Sequence, residues 1–303
     1  MFIGHKSDVE LNGWKVLPQT NQTKTLCHDT NGYFIQSNIC THQGSLIRHG
    51  TGRGNPVCPY HAMSWDFKGN PKGNGTVGHH GGQYCKNDTA LWNDSVYDWE
   101  GFLFTTPVNF PTAGIDGNYR LEEYRVDTIK ADPTPSMDLF LDVDHIPIVH
   151  PELYNQINVP SVADVQWAFD RDSSIQYVPF DNSDNQWGDL LETEPMWGAV
   201  WLAVYPNVMF EWQPGAVFVM QLEAVSEGLS KCHVWKYKDL NHSEEVWNTS
   251  ERVWELAWSQ DKAQAERLQM GYKNVLWEKL ERSKQHYRHW LDGTKLARSH
   301  PTT

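Results

Sequence analysis

Residues 40–61 contain the pattern that decides the first half of the fold: C-T-H at residues 40–42 and C-P-Y-H at residues 58–61, with fifteen residues between them. Two thiolates and two imidazoles suit a [2Fe–2S] cluster in which two His replace two Cys on one iron, which raises the reduction potential. Cys₂His₂ is also a structural zinc set, but zinc fingers place both Cys before both His. Here each segment carries one of each, which favours the iron–sulfur cluster. The predicted ligands are Cys40, His42, Cys58 and His61.

A second metal-binding pattern lies further along the chain, where Asp142, His145 and His150 stand among apolar residues. Two imidazoles and one carboxylate on one face of a metal form the ligand set of non-haem Fe(II) oxygenases. Asp142 and His145 are three residues apart and would share a helix face. His145 and His150 would point about 140° apart on an ideal helix, so both bind one iron only if the helix changes course between them. Pro147 supplies a physical cause.

The last predicted element is a long helix over residues 243–289, which has no Pro and only one Gly. An aromatic and apolar stripe runs along it at helical spacing. Asp261 lies within this stripe, where an unpaired carboxylate costs several kcal/mol and needs a cation, a proton or a metal. The stripe consists of Trp247, Trp254, Trp258, Ala265 and Leu268. Four Glu residues fall off the stripe or at its edge: Glu244, Glu245, Glu255 and Glu266. Two His further along the helix are expected to be exposed: His286 and His289.

The rest of the chain predicts an α+β protein of two domains. Residues 1–112 consist of short apolar segments between Gly, Asn and Pro turns, as in a small all-β domain. A Gly-rich stretch over 69–82 is expected to be a loop with His79 and His80 exposed, and residues 110–114 are the expected linker. Residues 113–303 would form the second domain, with at least two strands over 197–225. Four Trp either line a pocket or pack the core there: Trp187, Trp197, Trp201 and Trp212.

Composition excludes several classes. The formal net charge of −13 argues against nucleic-acid binding. The beginning of the chain has no long apolar run, and no stretch approaches the length of a membrane span, so a soluble cytoplasmic protein is expected. Cys27, Cys85 and Cys232 show no disulfide-rich spacing and are expected to be free thiols.

The run from Cys58 to Gly69, C-P-Y-H-A-M-S-W-D-F-K-G, resembles the second cluster loop of Rieske non-haem iron oxygenases. Respiratory Rieske proteins usually carry one additional Cys in each loop, and Ser45 and Tyr60 stand at those places. The family's D-x-x-H-x-x-x-x-H motif matches Asp142, His145 and His150. The sequence departs from the family's pattern in two places. Asp138 stands where the family often has Asn, and the family's upstream Trp-Lys pair is lacking.

This resemblance implies a Rieske domain followed by a catalytic domain with an antiparallel sheet and a long C-terminal helix. It places the third ligand of a mononuclear Fe(II) at Asp261 and assigns His42 and His61 to the outer iron of the cluster. Electrons from NAD(P)H would arrive through a separate reductase or ferredoxin, and O₂ would be the co-substrate. The small organic substrate would be hydroxylated, dihydroxylated or demethylated.

The resemblance also implies a head-to-tail homotrimer in which Asp142 bridges the two metal sites of adjacent chains. In that role Asp142 would accept one hydrogen bond from His145 and another from His61 of the adjacent chain, with Asp144 as the fallback. Two alternatives remain open. One is a pure electron-transfer protein, and the other is a zinc hydrolase at the second site.

Overall fold

The computed structural model describes residues 1–73, 89–108, 115, 117–153, 165–170, 173–178 and 199–272. The chain divides into two compact units, residues 1–108 and 109–303. The segments predicted as the linker and the pair His79-His80 lie outside the described residues, as do Cys85, Trp187, Trp197, His286 and His289. Among the described helices, none is long and apolar enough to cross a membrane.

The first unit is built from antiparallel strands, in agreement with the short, turn-separated apolar segments. One sheet has five strands in the order β5-β2-β3-β4-β8, a second has the order β1-β10-β9, and β6 pairs with β7. The bounds are β1 Phe2–His5, β2 Gly13–Val16, β3 Lys24–Asp29, β4 Gly32–Ser37, β5 Thr51–Arg53, β6 Ser64–Trp65, β7 Pro71–Gly73, β8 Asn93–Ser95, β9 Tyr97–Trp99 and β10 Phe102–Phe104. Short 3₁₀ helices cover Lys6–Asp8 and Pro18–Thr20.

The segment 69–82 was expected to be a loop throughout, but β7 occupies part of it. Trp65 in β6 lies opposite Pro71, and Ser64 lies opposite Gly73, with a register irregularity between the two pairs. Because the strand is only three residues long, its alternation is too short to be recognised among the glycines.

The second unit contains a seven-stranded antiparallel sheet in the order β11-β17-β16-β15-β14-β13-β12. At least two strands were expected over 197–225, and the structure has three, joined at turns that contain Pro206 and Pro214. The bounds are β11 Tyr119–Ile129, β12 Gln166–Asp170, β13 Ser173–Val178, β14 Ala199–Val204, β15 Val208–Gln213, β16 Ala216–Ser226 and β17 Leu229–Asp239.

Helices pack on one face of this sheet and carry the candidate site. They are α1 Pro133–Leu141, a 3₁₀ helix Val143–His145, α2 Ile146–Val149 and α3 Glu244–Tyr272. The predicted stripe of α3 is confirmed, because Trp247, Trp254 and Ala265 are buried in the core. Phe218 of β16 stacks on Trp254 with ring centroids 4.7 Å apart. The part of the predicted helix beyond Tyr272 lies outside the described residues.

Candidate metal centres

The two Cys-His segments of the first unit form the same turn twice. The N–H of Cys40 donates to the carbonyl of Ser45 at 2.9 Å, and the N–H of Gly44 donates back to Cys40 at 3.0 Å. In the second turn the N–H of Cys58 donates to Met63 at 2.8 Å, and that of Ala62 donates back to Cys58 at 2.9 Å. Each Cys therefore occupies the equivalent place in its turn.

Both turns need a left-handed residue four positions after the Cys. Gly44 has φ +75° and Ala62 has φ +59°. Glycine adopts this conformation without penalty, whereas a residue with a Cβ costs about 1–2 kcal/mol. The two turns have the same geometry but not the same intrinsic stability.

The four predicted cluster ligands separate by burial. Cys40 and Cys58 are buried beside Ile47 and Trp65, whereas the imidazoles of His42 and His61 are partly exposed. The Nδ1 atoms of the two imidazoles lie 3.1 Å apart. A cluster with an inner iron on two Cys and an outer iron on two His needs this arrangement.

Burial raises the pKa of the Cys40 thiol. A backbone hydrogen bond at His42 opposes this shift, and the neighbouring Cys58 thiol adds to it. A coordinated metal deprotonates such a thiol outright. The ring of Tyr60 lies over His61 with centroids 3.7 Å apart. This aromatic cover was not predicted from sequence.

In the second unit, the break between helices lies at Asp142. This residue ends α1 and its side chain accepts a hydrogen bond from the N–H of Asp144 at the start of the 3₁₀ helix. Pro147 lies in the first turn of α2, where a missing N–H costs nothing. It therefore begins a new helix, and does not kink a continuous one. His150 ends α2 with φ −118° and ψ 53°.

Helix α3 brings Asp261 to the two His across more than 100 residues of sequence. The Nε2 atoms of His145 and His150 lie 3.2 Å apart. The Oδ1 atom of Asp261 lies 2.9 Å from Nε2 of His150 and 3.4 Å from that of His145. These three residues form one of two groups among the described residues whose ligand atoms all lie within 4.8 Å of one another.

These separations match a single metal ion. Ligand atoms at about 2.1 Å from a metal lie about 3.0 Å apart at right angles and about 3.4 Å apart at tetrahedral angles. The Oδ1 of Asp261 is buried and faces the Nε2 atoms of both His145 and His150. A cation bound by the three atoms satisfies it.

The second nitrogen of each imidazole is held by a neighbour. Nδ1 of His145 donates to the main-chain carbonyl of Asp142, and Nδ1 of His150 donates to Oε1 of Gln260 at 2.8 Å. Because Nδ1 carries the proton in both rings, the lone pairs of the two Nε2 atoms face the metal position. Gln260 was missed by sequence reasoning, since only the position of α3 reveals it.

The role predicted for Asp142 rests on different atoms from those expected. Its contact with His145 is made by the main-chain carbonyl oxygen, and its carboxylate accepts the N–H of Asp144. The chain leaves α1 at this residue with extended backbone, so the carbonyl of residue 142 turns toward His145. The expected bond from His145 to the carboxylate is replaced here by one to the carbonyl.

Electrostatics favour an ionised Asp261. Burial alone would raise the pKa of this carboxyl, but the imidazoles of His145 and His150 hold it below its usual value. Burial would lower the pKa of His150, and Asp261 reverses that shift and raises it. Metal ligands must be deprotonated, so an ionised Asp261 is the competent form.

The competing Glu residues of α3 are engaged elsewhere. Glu255 pairs with Arg125 and Lys236, and Glu266 accepts the N–H of Lys130 at 3.2 Å. Glu244 pairs with Lys238. The second group of close carboxylates, Glu123, Glu251 and Glu255, surrounds the ammonium of Lys236, and Arg125 pairs with two of the three.

A cavity opens beside the His-His-Asp triad, with about 690 Å³ of free space that includes part of its open mouth. Trp201, Glu211 and Gln213 form part of its wall. Burial raises the pKa of Glu211 to about 7 despite a hydrogen bond from Gln213, and the nearby Asp261 carboxylate acts in the same direction. Of the four Trp considered from sequence, Trp201 lines this cavity. Trp212, on the neighbouring strand, is buried.

Comparisons with known proteins agree with this architecture. The family model described as the ring hydroxylating alpha subunit (catalytic domain) matches residues 136–293, and that of the Rieske [2Fe-2S] domain matches residues 1–93. The putrescine 2-hydroxylase of Ralstonia nicotianae is 25% identical over 254 residues, which cover 76% of this chain and 67% of that protein. The putrescine 2-hydroxylase of Bordetella bronchiseptica is 25% identical over 266 residues, covering 73% of this chain and 59% of that protein.

Solved structures share the fold. A quaternary ammonium Rieske monooxygenase in complex with an inhibitor superposes with a TM-score of 0.71 at 16% identity, covering 99% of this chain and 88% of that chain. Naphthalene 1,2-dioxygenase from Rhodococcus sp. bound to indole superposes with a TM-score of 0.64 at 14% identity, covering 89% of this chain and 76% of that chain. At such identities the likeness shows the fold alone.

The fold and the two centres thus define an iron-dependent oxidoreductase of the Rieske type. Because the catalytic-domain model matches more than half of the chain, the protein belongs to the ring-hydroxylating oxygenase alpha-subunit family. This confirms the predicted family and the α+β fold class. A Rieske domain implies a [2Fe–2S] cluster, and the catalytic domain implies a mononuclear iron site. Membership favours the oxygenase hypothesis over a pure electron-transfer protein.

Proposed function

We propose that this protein oxidises a small organic substrate with O₂, using electrons that enter through a [2Fe–2S] cluster on Cys40, His42, Cys58 and His61. His145, His150 and Asp261 would hold the mononuclear iron. The observation that carries the proposal is the convergence of three lone-pair atoms, two imidazole Nε2 and one carboxylate oxygen, beside an apolar cavity. Two neutral His and one carboxylate form the facial set that leaves positions open on Fe(II).

The mononuclear iron, when bound, supplies the chemistry of O₂ activation. The surrounding residues position it. Asp142 and Gln260 fix the protonation of the two ligand rings, and Asp261 contributes the negative charge that binds Fe(II). The aliphatic wall of the cavity, which includes Val178, Ala199 and Val253, holds the substrate's carbon skeleton away from bulk water.

The substrate of the relatives suggests the first compound to test. Both curated relatives are named putrescine 2-hydroxylase, which makes hydroxylation of a small aliphatic compound our first choice over dihydroxylation or demethylation. The family generally needs a reductase or ferredoxin, and NAD(P)H is the proposed source of electrons. A cytoplasmic location remains a prediction.

The iron content of anaerobically purified protein tests the proposal. We expect about three irons per chain, two in the cluster and one at the triad. Asp261→Ala should remove the third iron and abolish O₂ uptake with putrescine, leaving the visible spectrum of the cluster unchanged. Glu266→Gln, on the same helix, is the matched control. If the control loses the iron and Asp261→Ala keeps it, the wrong carboxylate has been assigned. Zinc at the triad would support the hydrolase alternative.

We also propose the head-to-tail homotrimer that the family resemblance implies, with Asp142 as the link between the cluster of one chain and the iron of the next. The direct contact between His145 and the carbonyl of Asp142 supports this role, because the residue is bonded to a ligand ring. The carboxylate of Asp142 is half-buried, and it is the group that we propose accepts from the partner's His61.

Asp142→Asn tests this link. The main-chain contact with His145 is kept, so the iron content and the trimer seen by sedimentation should not change. The rate of electron transfer from the cluster in a single turnover should fall severely. A monomeric wild-type protein with full activity contradicts the trimer, and an unchanged single-turnover rate contradicts the role of Asp142.

A further inference from the structure

The wall of the cavity carries hydrogen-bond acceptors that have no Lys or Arg partner among the described residues. Glu211 is on β15, and its cross-strand partner on β14 is Trp201. Directly opposite residues in an antiparallel pair project to the same face of the sheet. Gln213, two residues after Glu211, projects to that face as well. All three line the cavity that contains His145, His150 and Asp261.

The hydrogen bonds of this wall fix its polarity. Nε2 of Gln213 donates to the carboxylate of Glu211, which leaves Oε1 of Gln213 as the outer atom of the amide. This oxygen is buried and has no hydrogen-bond partner among the described residues, and the side chain as a whole is 5% exposed. The wall therefore presents a carboxylate and a free amide oxygen, which are both acceptors.

No Lys or Arg among the described residues is within ion-pair distance of Glu211. By contrast, Glu255 of α3 pairs with Arg125 and Lys236. Glu211 has no such partner, although a carboxylate that is partly removed from water needs a cation, a proton or hydrogen-bond donors. Lys262 lines a neighbouring recess that Glu211 and Asp261 also reach, and no ion pair joins it to either of them in the described structure.

Aromatic rings complete this end of the cavity. The rings of Trp201 and Phe140 lie with centroids 6.0 Å apart at an angle of 43°. Aromatic faces attract organic cations, most strongly where water is excluded. The remaining described lining is aliphatic: Ile146, Leu153, Val178, Ala199, Val253 and Ala257.

We infer that Glu211 is the specificity-determining residue of the cavity and binds the ammonium group of an alkylamine substrate, with Gln213 Oε1 as a second acceptor and Trp201 and Phe140 as its aromatic cover. The alkyl chain then lies along the aliphatic lining toward the triad. This inference rests on the proposed oxygenase function. It selects ammonium groups that carry N–H bonds, because both acceptors need a donor. Quaternary ammonium groups and neutral alcohols meet only part of this requirement.

Calorimetric titration of the anaerobic, iron-loaded protein tests this without turnover. The probes are 1-aminobutane, butan-1-ol and butyltrimethylammonium. Wild-type protein should bind 1-aminobutane roughly 100-fold more tightly than butan-1-ol, as expected for charge-assisted hydrogen bonds with cation–π support. Butyltrimethylammonium should bind about tenfold more weakly than 1-aminobutane, because it lacks N–H donors.

Glu211→Gln keeps the shape of the side chain and removes its charge. The preference for 1-aminobutane over butan-1-ol should fall to about tenfold or less, the part that the aromatic rings supply. Glu245→Gln, which removes an exposed carboxylate from α3, is the matched control and should keep the wild-type preference. Gln213→Leu is an independent variant in which the affinity for 1-aminobutane should fall about tenfold with no change in net charge.

Equal binding of amine and alcohol by the wild-type protein overturns the inference, and so does a Glu211→Gln variant that keeps the full preference. The iron content of the same samples is measured separately. Three irons per chain with no amine preference defeats this inference and leaves the proposed oxygenase intact, whereas absence of the third iron defeats the proposed function first.

Discussion

The two candidate metal centres are assembled in opposite ways. The Cys-His centre is built from two short turns, and the imidazoles that face each other are 19 residues apart in sequence. The His-His-Asp centre joins a break between two helices to a helix that follows the sheet, and His150 and its partner Gln260 are 110 residues apart. A local centre depends on turn geometry, whereas a distant one depends on the packing of the whole unit.

The largest effect expected from this comparison is the independent loss of each centre. Cys58→Ser should abolish the visible absorption of the cluster and stop O₂ uptake, because a buried thiolate ligand is lost. The triad should keep its single iron, since its ligands all lie in the second unit. Absorption spectroscopy measures the cluster, and metal analysis measures the iron that remains at the triad. Loss of the triad's iron in this variant would show that the two centres depend on each other.

A smaller effect is expected at the partner that orients His150. Gln260→Leu removes the acceptor for Nδ1, and such changes typically cost 10–100-fold in metal affinity or activity. Iron affinity is measured by competition with a chelator. Gln260→Glu keeps an acceptor at that position and should restore most of the affinity, which a purely structural role of Gln260 does not predict.

Ser259→Ala is the matched control for Gln260, because Ser259 is exposed and its hydroxyl donates to the carbonyl of Leu256 in the same helix at 2.8 Å. Its iron affinity should equal that of the wild type. A loss as large as that of Gln260→Leu would point to a disturbed helix instead of a lost orienting bond.

The smallest expected effect separates the two turns of the cluster centre. Gly44→Ala should destabilise the cluster-loaded protein by about 1 kcal/mol, since an added Cβ meets no atom within 4 Å and only the backbone penalty remains. Ala62→Gly should stabilise it by about 0.5 kcal/mol, because relief of that penalty exceeds the entropy gained by the unfolded chain. Denaturant unfolding measures both.

The opposite signs of the two effects test the equivalence of the turns. If Ala62→Gly is as destabilising as Gly44→Ala, the side chain of Ala62 makes a contact that outweighs its backbone strain. The two turns would then differ in more than their residue at the left-handed position.

The sequence predicted the local centre more completely than the distant one. Cys40, His42, Cys58 and His61 stand in a spacing that indicates their chemistry without knowledge of the fold. Asp261 was identified by a physical anomaly, a carboxylate within an apolar helical stripe. His145 and His150 were predicted as ligands because their spacing matches the family's motif.

Other parts of the second site were beyond sequence reasoning. Glu211 lies in a strand of mostly buried residues, and its position in the cavity depends on the register between β14 and β15. Gln260 is a common residue on a polar helix, and only the packing of α3 brings it to His150. The bond from His145 to a main-chain carbonyl involves no side-chain pattern at all.

One feature of α3 limits how the chain can change in length. Gln260 orients one ligand ring, and the next residue, Asp261, is itself placed as a ligand, so adjacent positions on one helix serve the same metal. Insertion of a single residue after Trp258 would turn both by about 100° and advance them by about 1.5 Å, removing each from its partner. Extra residues at the exposed turn between β16 and β17, around Gly228, would leave them in place. Natural variation in length should therefore accumulate at such turns and be absent from the first five turns of this helix.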